Sequence, residues 1–366
     1  MFIFKCVLFL TVLQNARVSY AAEASEDDNF VTIDFNDSEE DDLKNDIQTR
    51  ISLSEYLPIV INILGPIFGI DTSRWSQQGF VARKDVSFFL HTKGSGEHRE
   101  EIRFNDTKSL LASRFNPSHP TRIIVHGWFG SEYAAIFPTL VSAYLKHGNY
   151  NVIVVDWGKG AIADYASASQ RVKSVGLLLG KFVDFLHRET KTSFKKIYLI
   201  GFSMGAHIVG IAGKSIKRGR IPVIFGLDPA LPMFSFENTK ERLTKDDANY
   251  VEIIHTNAGG YGFEEPIGHA DFYVNYGNFQ PGCLLAECHH FRAFKVFGES
   301  ISSKVGFWGR GCDASVVKSL LKTRKCDKPA SKTALMGGDS SKKNLTGVYY
   351  LETNERSPFA LGGLIN

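Results

Sequence analysis

Gly201-Phe202-Ser203-Met204-Gly205 is the only Gly-x-Ser-x-Gly in the chain. A serine hydroxyl is a weak nucleophile until a neighbouring base takes its proton, and that base needs an orienting acid. The pattern is short, so its flanks decide what it means. Lys196-Ile197-Tyr198-Leu199-Ile200 reads as a strand running into it, and Ala206 to Ser215 reads as a helix leaving it. A strand–turn–helix of this kind holds the serine on a strained turn at a helix N-terminus. The glycines let backbone pass close by. The chemistry expected of Ser203 is acyl transfer through a covalent intermediate.

In this arrangement the acid and then the base follow the serine along the chain. Asp228 closes the apolar run Pro222-Val223-Ile224-Phe225-Gly226-Leu227, and Pro229 stops the strand there. One helix and one strand fill the interval from Ser203, so Asp228 falls on the same rim of a parallel sheet. His255, His269, His289 and His290 all follow it. His255 and His269 flank strand-like runs and read as structural. Spacing does not separate the neighbours His289 and His290, both expected in a loop fixed by a Cys288 bridge. The developing oxyanion needs two N–H donors. Met204 supplies one, and Trp128, in the strand exit His126-Gly127-Trp128, supplies the other.

Other elements must hold these residues in place. Buried-type strands are read at Arg122–His126, Asn151–Val155 and Tyr250–Ile254, with helices at Ala134–His147 and Arg171–Thr190. Continuous apolar strands alternating with helices predict a mostly parallel central sheet covered by helices on both faces. This is the α/β class, and with the serine turn it is the α/β-hydrolase fold. The 366 residues, 43% of them hydrophobic, suffice for one large domain.

The ends of the chain carry different signals. Phe2 to Leu13 is apolar and leads to Ser19-Tyr20-Ala21-Ala22. This run is too short to span a bilayer and reads as a signal peptide over residues 1–21. Residues 22–50 read as an acidic disordered leader or pro-segment, and residues 51–366 as a single domain. Residues 1–50 hold eleven acids against four bases; the other 28 acids and 38 bases give residues 51–366 a net charge of +10. That excess is ordinary solubility charge before it is an affinity for anionic lipid, and it points to no nucleic-acid partner. Once Cys6 leaves with the signal, Cys283, Cys288, Cys312 and Cys326 remain. An even number in an exported chain suggests two bridges. Of the three connectivities, nearest-neighbour pairing is expected. Asn36, Asn105 and Asn344 open glycosylation sequons.

The chain resembles the pancreatic lipase family over roughly residues 75–362. The stretches that carry the likeness are Thr121–Trp128, Val155-Asp156-Trp157, Gly201–Gly210, Gly226–Ala230, Ile254-His255-Thr256, Gly268–Tyr273, Pro281-Gly282-Cys283, Cys288–Ala293 and the tail Gly347–Asn354. The resemblance implies that the second residue after the lid cysteine, His290, is the base. It supports Asp228 as the acid and Trp128 and Met204 as oxyanion donors. It implies a lipid substrate at a membrane or micelle surface.

Three departures from the family pattern matter. Only Leu284-Leu285-Ala286-Glu287 lie between Cys283 and Cys288, where the family has a loop that covers the site. Asn257–Gly268 is also short. Both features resemble the phospholipase A1 members. Thr239 and Thr244 stand where the family's calcium loop has acids, although Asp247 remains; no metal or other cofactor is expected. The sequence ends without a lipid-binding β-sandwich, so no colipase is expected and a monomer is. The expected protein is a secreted carboxylic-ester hydrolase acting at the sn-1 ester of phospholipids. The alternatives are a neutral-lipid or galactolipid lipase, or a non-enzymatic lipid carrier of the yolk-protein kind.

Overall fold

A computed structural model of the protein describes residues 79–96, 98–339 and 345–362. The expected signal peptide (1–21), acidic leader (22–50) and sequons at Asn36 and Asn344 lie outside the described residues. So does the start of the expected 51–366 domain.

Every strand read from the sequence is present, within a residue or two. They are β3 (Thr121–Val125), β4 (Asn151–Asp156), β5 (Ile197–Phe202), β6 (Val223–Leu227) and β7 (Tyr250–His255). β8 (Ala270–Val274) and β11 (Gly347–Leu351) extend them. These seven run parallel, in the order β11-β8-β7-β6-β5-β3-β4. Among the described residues four further strands lie antiparallel at the edges: β1 (Ser87–His91) and β2 (Glu100–Glu101) beyond β4, and β9 (Phe307–Cys312) and β10 (Pro329–Met336) beyond β11. These edge strands are not among those the sequence pattern predicts. β9 and β10 alternate buried and exposed residues or are mostly exposed, which gives no continuous apolar run to read.

The core lies on both faces of the sheet because strand side chains alternate. Ile123, Val125, Ile153, Val155 and Leu199 face one way, toward the helices α2 (Tyr165–Thr190) and α3 (Met204–Ser215). Ile124, Val152, Val154, Ile200 and Phe225 face the other way, toward α1 (Ile136–His147) and α4 (Ala286–Ser300). Among the described residues no helix is long and apolar enough to cross a membrane.

α3 begins two residues before the reading placed it, at Met204, directly after Ser203. It presses on the end of β3 through Gly205. A Cβ there would sit 2.4 Å from the Val125 carbonyl oxygen and 2.6 Å from that of His126. Backbone oxygens in a parallel sheet have little room to retreat. Gly205→Val should therefore abolish folding or cost several kcal/mol, since overpacking alone typically costs about 1–3 kcal/mol. Soluble yield and urea-unfolding midpoint against wild type measure this; a variant within 0.5 kcal/mol of wild type (roughly the size of an ordinary surface change) would refute the close-packing account.

Candidate active site

Ser203 joins β5 to α3 with φ 56° and ψ −124°. A non-glycine residue held there typically costs about 1–3 kcal/mol. The turn is fixed from both sides: the Ser203 N–H donates to Leu227 O at 3.0 Å, and the Ala206 N–H donates to Ser203 O at 3.0 Å. The first bond ties the serine to the last residue of β6, beside Asp228.

Asp228 is fully buried. Its Oδ2 lies 2.6 Å from His290 Nδ1. A carboxylate only accepts, so Nδ1 carries the proton in this contact, and the neutral tautomer that fits it presents Nε2 as an acceptor. Oδ1 accepts from the backbone N–H groups of Thr256 at 2.8 Å and Asn257 at 3.0 Å. Gly262 lies against the same carboxylate; a Cβ there would come within 2.5 Å of Oδ1. Unpaired burial of an ionised carboxylate is prohibitive, and these partners account for both oxygens. The sequence carries no signal for these backbone donors. Thr256 falls within one of the stretches that resemble the family, but any residue type can offer a backbone N–H.

His290 is therefore the histidine that meets Asp228, and His289 is not. Both lie in the first turns of α4, where the sequence reading expected a loop. A bridge of nearest neighbours is compatible with a helix start, and residues 286–300 continue helically beyond it. His289 faces the opposite side. Its Nδ1 accepts from the Gln280 N–H at 2.9 Å, and its ring packs edge-on against Phe279. Burial pushes its pKa down, in keeping with a neutral acceptor. The His290 ring sits against Phe202, 4.5 Å between centroids, and under the edge of Tyr261 at 5.6 Å. Ser203 and His290 are 7% and 6% exposed, both at the carboxyl rim of the sheet. No hydrogen bond joins the Ser203 hydroxyl to His290 in this resting geometry. Such nucleophile–base contacts are commonly loose until substrate binds.

The turn after β3 abuts the serine. A Cβ on Gly127 would lie 2.7 Å from Ser203 Cβ and 3.3 Å from its Oγ. Among the described residues, the N–H groups of Trp128 and Met204 donate to no protein acceptor. Trp128 is held by its indole N–H on Ala163 O at 2.8 Å and by Tyr165. His126 stacks on Trp157, and its Nε2 accepts the Trp157 backbone N–H at 3.2 Å. His255 and His269 bond elsewhere: His255 to Asp271 at 3.0 Å, and His269 to the Val251 N–H at 3.1 Å.

Cys283 pairs with Cys288 and Cys312 with Cys326, with Cα separations of 5.4 and 6.1 Å. Ala286 and Glu287 already belong to α4, so Leu284 and Leu285 alone project from the first loop. Arg292 anchors that loop from behind through Pro281 O at 2.8 Å. The 257–268 segment folds back on the residues after Asp228: Leu231 N–H donates to Tyr261 O, and Phe263 N–H to Pro229 O. Asn105 is exposed and at φ 60°. Among the described residues no group of three or more His, Cys, Asp or Glu could hold a metal ion.

The fold, a parallel sheet with a strained serine at the rim and helices on both faces, is that of an α/β hydrolase. Residues 69–359 match the profile of the Lipase family. The chain belongs to this lipase family and is placed among the carboxylic-ester hydrolases. It is 30% identical over 306 residues to the pancreatic triacylglycerol lipase of Sus scrofa, covering 75% of this chain and 67% of that one. It is 32% identical over 309 residues to that of Homo sapiens, covering 76% and 66%. The lipoprotein lipase of Neovison vison is 37% identical over 200 residues, covering 53% and 42%. The chain thus spans about two thirds of the length of the pancreatic lipases it matches.

Beside the site, α3 carries His207, fully buried. One ring nitrogen lies 2.7 Å from Ala230 O, and the other accepts the Leu243 N–H at 3.1 Å. Burial pushes its pKa down to about 3 from 6.5. The folded pKa is depressed, so the unfolded chain binds the proton first. The stabilisation is complete above pH 6.5 and is lost as pH falls toward 3. The slope from this group is at most about 1.4 kcal/mol per pH unit. Urea unfolding of wild type and His207→Gln from neutral pH down to about pH 4 should show a shallower decline in the variant. Parallel declines would exclude His207 as the source.

Proposed function

We propose that this protein is a secreted phospholipase A1, cleaving the sn-1 acyl ester of phospholipids with Ser203, His290 and Asp228. The observation that carries the catalytic part is the 2.6 Å contact between His290 and the buried Asp228 carboxylate, beside a strained serine. In the proposed reaction His290 Nε2 takes the Ser203 proton as Oγ attacks the ester carbonyl. Asp228 keeps the imidazole oriented and stabilises the imidazolium. The N–H groups of Trp128 and Met204 receive the oxyanion, a contact typically worth about 3 kcal/mol per donor. His290 returns the proton to the leaving lysophospholipid oxygen. Water, deprotonated by the same His290, then cleaves the acyl-enzyme and releases the fatty acid.

The substrate class follows from what stands over the serine. Four residues between bonded cysteines, the last two already in α4, cannot form a flap over a lipid-sized cleft, since a residue spans at most about 3.6 Å. An open rim admits a large polar head group. Leu284, Leu285 and Phe279 are 95%, 65% and 63% exposed beside the histidine helix. An apolar fringe of this kind suits contact with a lipid surface. Export is inferred from the N-terminal run and from the two disulfides. The same reading takes the enzyme as a monomer acting without a colipase.

Ser203→Ala and His290→Ala should each lower kcat/KM for an ester substrate by roughly a thousandfold or more, whereas His289→Ala should act mainly on Tm. Unchanged hydrolysis in Ser203→Ala, or loss confined to His289→Ala, would overturn these roles. Fatty-acid release measured side by side should be fastest from phosphatidylcholine, slower from a galactolipid and slowest from a triglyceride. Strong triglyceride cleavage without phospholipid cleavage would overturn the substrate class alone.

A further inference from the structure

Lys214 stands on the last turn of α3, the helix that starts at Ser203. Its Nζ lies 2.5 Å from both carboxylate oxygens of Asp247 and 2.8 Å from Arg242 O. The Asp247 side chain is 1% exposed. Asp247 also accepts the Thr244 N–H at 2.8 Å and the Thr244 hydroxyl at 2.9 Å. Leu243, inside the same segment, is tied to α3 through His207. Gly213 lets the segment lie flush on the helix; a Cβ there would meet Asp247 O at 2.4 Å.

This is the segment in which the family pattern has acids at the positions of Thr239 and Thr244. The residues present do not fit a calcium ion. Calcium takes six to eight oxygens at about 2.3–2.6 Å. Here Thr239 is exposed and Thr244 donates instead of ligating. The Asp247 carboxylate and the Arg242 carbonyl already converge on an ammonium. An ammonium offers three N–H donors, and three oxygens surround this one.

We propose that the Lys214 ammonium is a built-in cation, neutralising Asp247 and clamping residues 229–249 to the nucleophile helix without a divalent metal. The clamp joins the element that presents Ser203 to the segment that leaves Asp228. A covalently attached cation cannot be removed by chelation, so the fold around the rim is metal-independent.

The test is thermal unfolding of the purified full-length protein in millimolar EDTA and in millimolar calcium chloride. Wild-type Tm should be the same in both. Lys214→Met should lower Tm by several degrees, because it leaves the Asp247 charge buried and unpaired. Lys214→Met/Asp247→Asn should recover most of that loss. A wild-type Tm that rises with calcium or falls with EDTA overturns the proposal. So does a Lys214→Met Tm equal to wild type, or a double variant no better than the single one. If Lys214→Met does not fold, the wild-type series decides by itself. The readout is stability, so failure here leaves the catalytic assignment untouched.

Discussion

A single buried charge organises this molecule. Asp228 has no exposure to water, and its carboxylate is tolerable there only if its oxygens are paired. The pairing draws three distant pieces of chain to one point. β6 delivers the aspartate, the segment after β7 delivers two backbone N–H groups, and the start of α4 delivers His290. Gly262 is small because it lies against the same oxygens. The serine is bound into this knot through its own N–H on Leu227 O.

Around that knot, close backbone approach does the positioning. Gly205 lets α3 meet the end of β3, and Gly127 lets the following turn lie against Ser203. Those contacts set the turn that carries Trp128 and the start of α3 at Met204 beside the serine. The strained conformation of Ser203 is sustained by the same packing, since α3 is also gripped through His207 and Lys214.

The rim is built differently from the core. Only Leu284 and Leu285 project between Cys283 and the start of α4, and His289 and Arg292 of α4 hold the preceding residues Gln280 and Pro281. Two adjacent histidines thus do unrelated work. One turns toward the sheet and the carboxylate, the other toward the loop at Gln280. Helical geometry separates consecutive side chains by about 100°, enough to send neighbours to opposite surroundings.

The sequence by itself determined five of the seven parallel strands, the serine turn and an aspartate at the exit of the next strand, and it favoured nearest-neighbour pairing of the cysteines. Each of those is written locally: continuous apolar runs, glycines beside a serine, an Asp-Pro exit and short cysteine spacings. Only the tertiary structure decided what depends on which surfaces meet. It showed that His290 reaches Asp228, that residues 286–300 are helical, and that Thr256 and Asn257 lend their backbone to the carboxylate. It added the antiparallel edge strands, of which β9 and β10 offer no continuous buried run. It also paired Lys214 with Asp247 across 33 positions of chain. A lysine's length reveals nothing about its partner until the fold brings an oxygen within reach, and that is a property of packing.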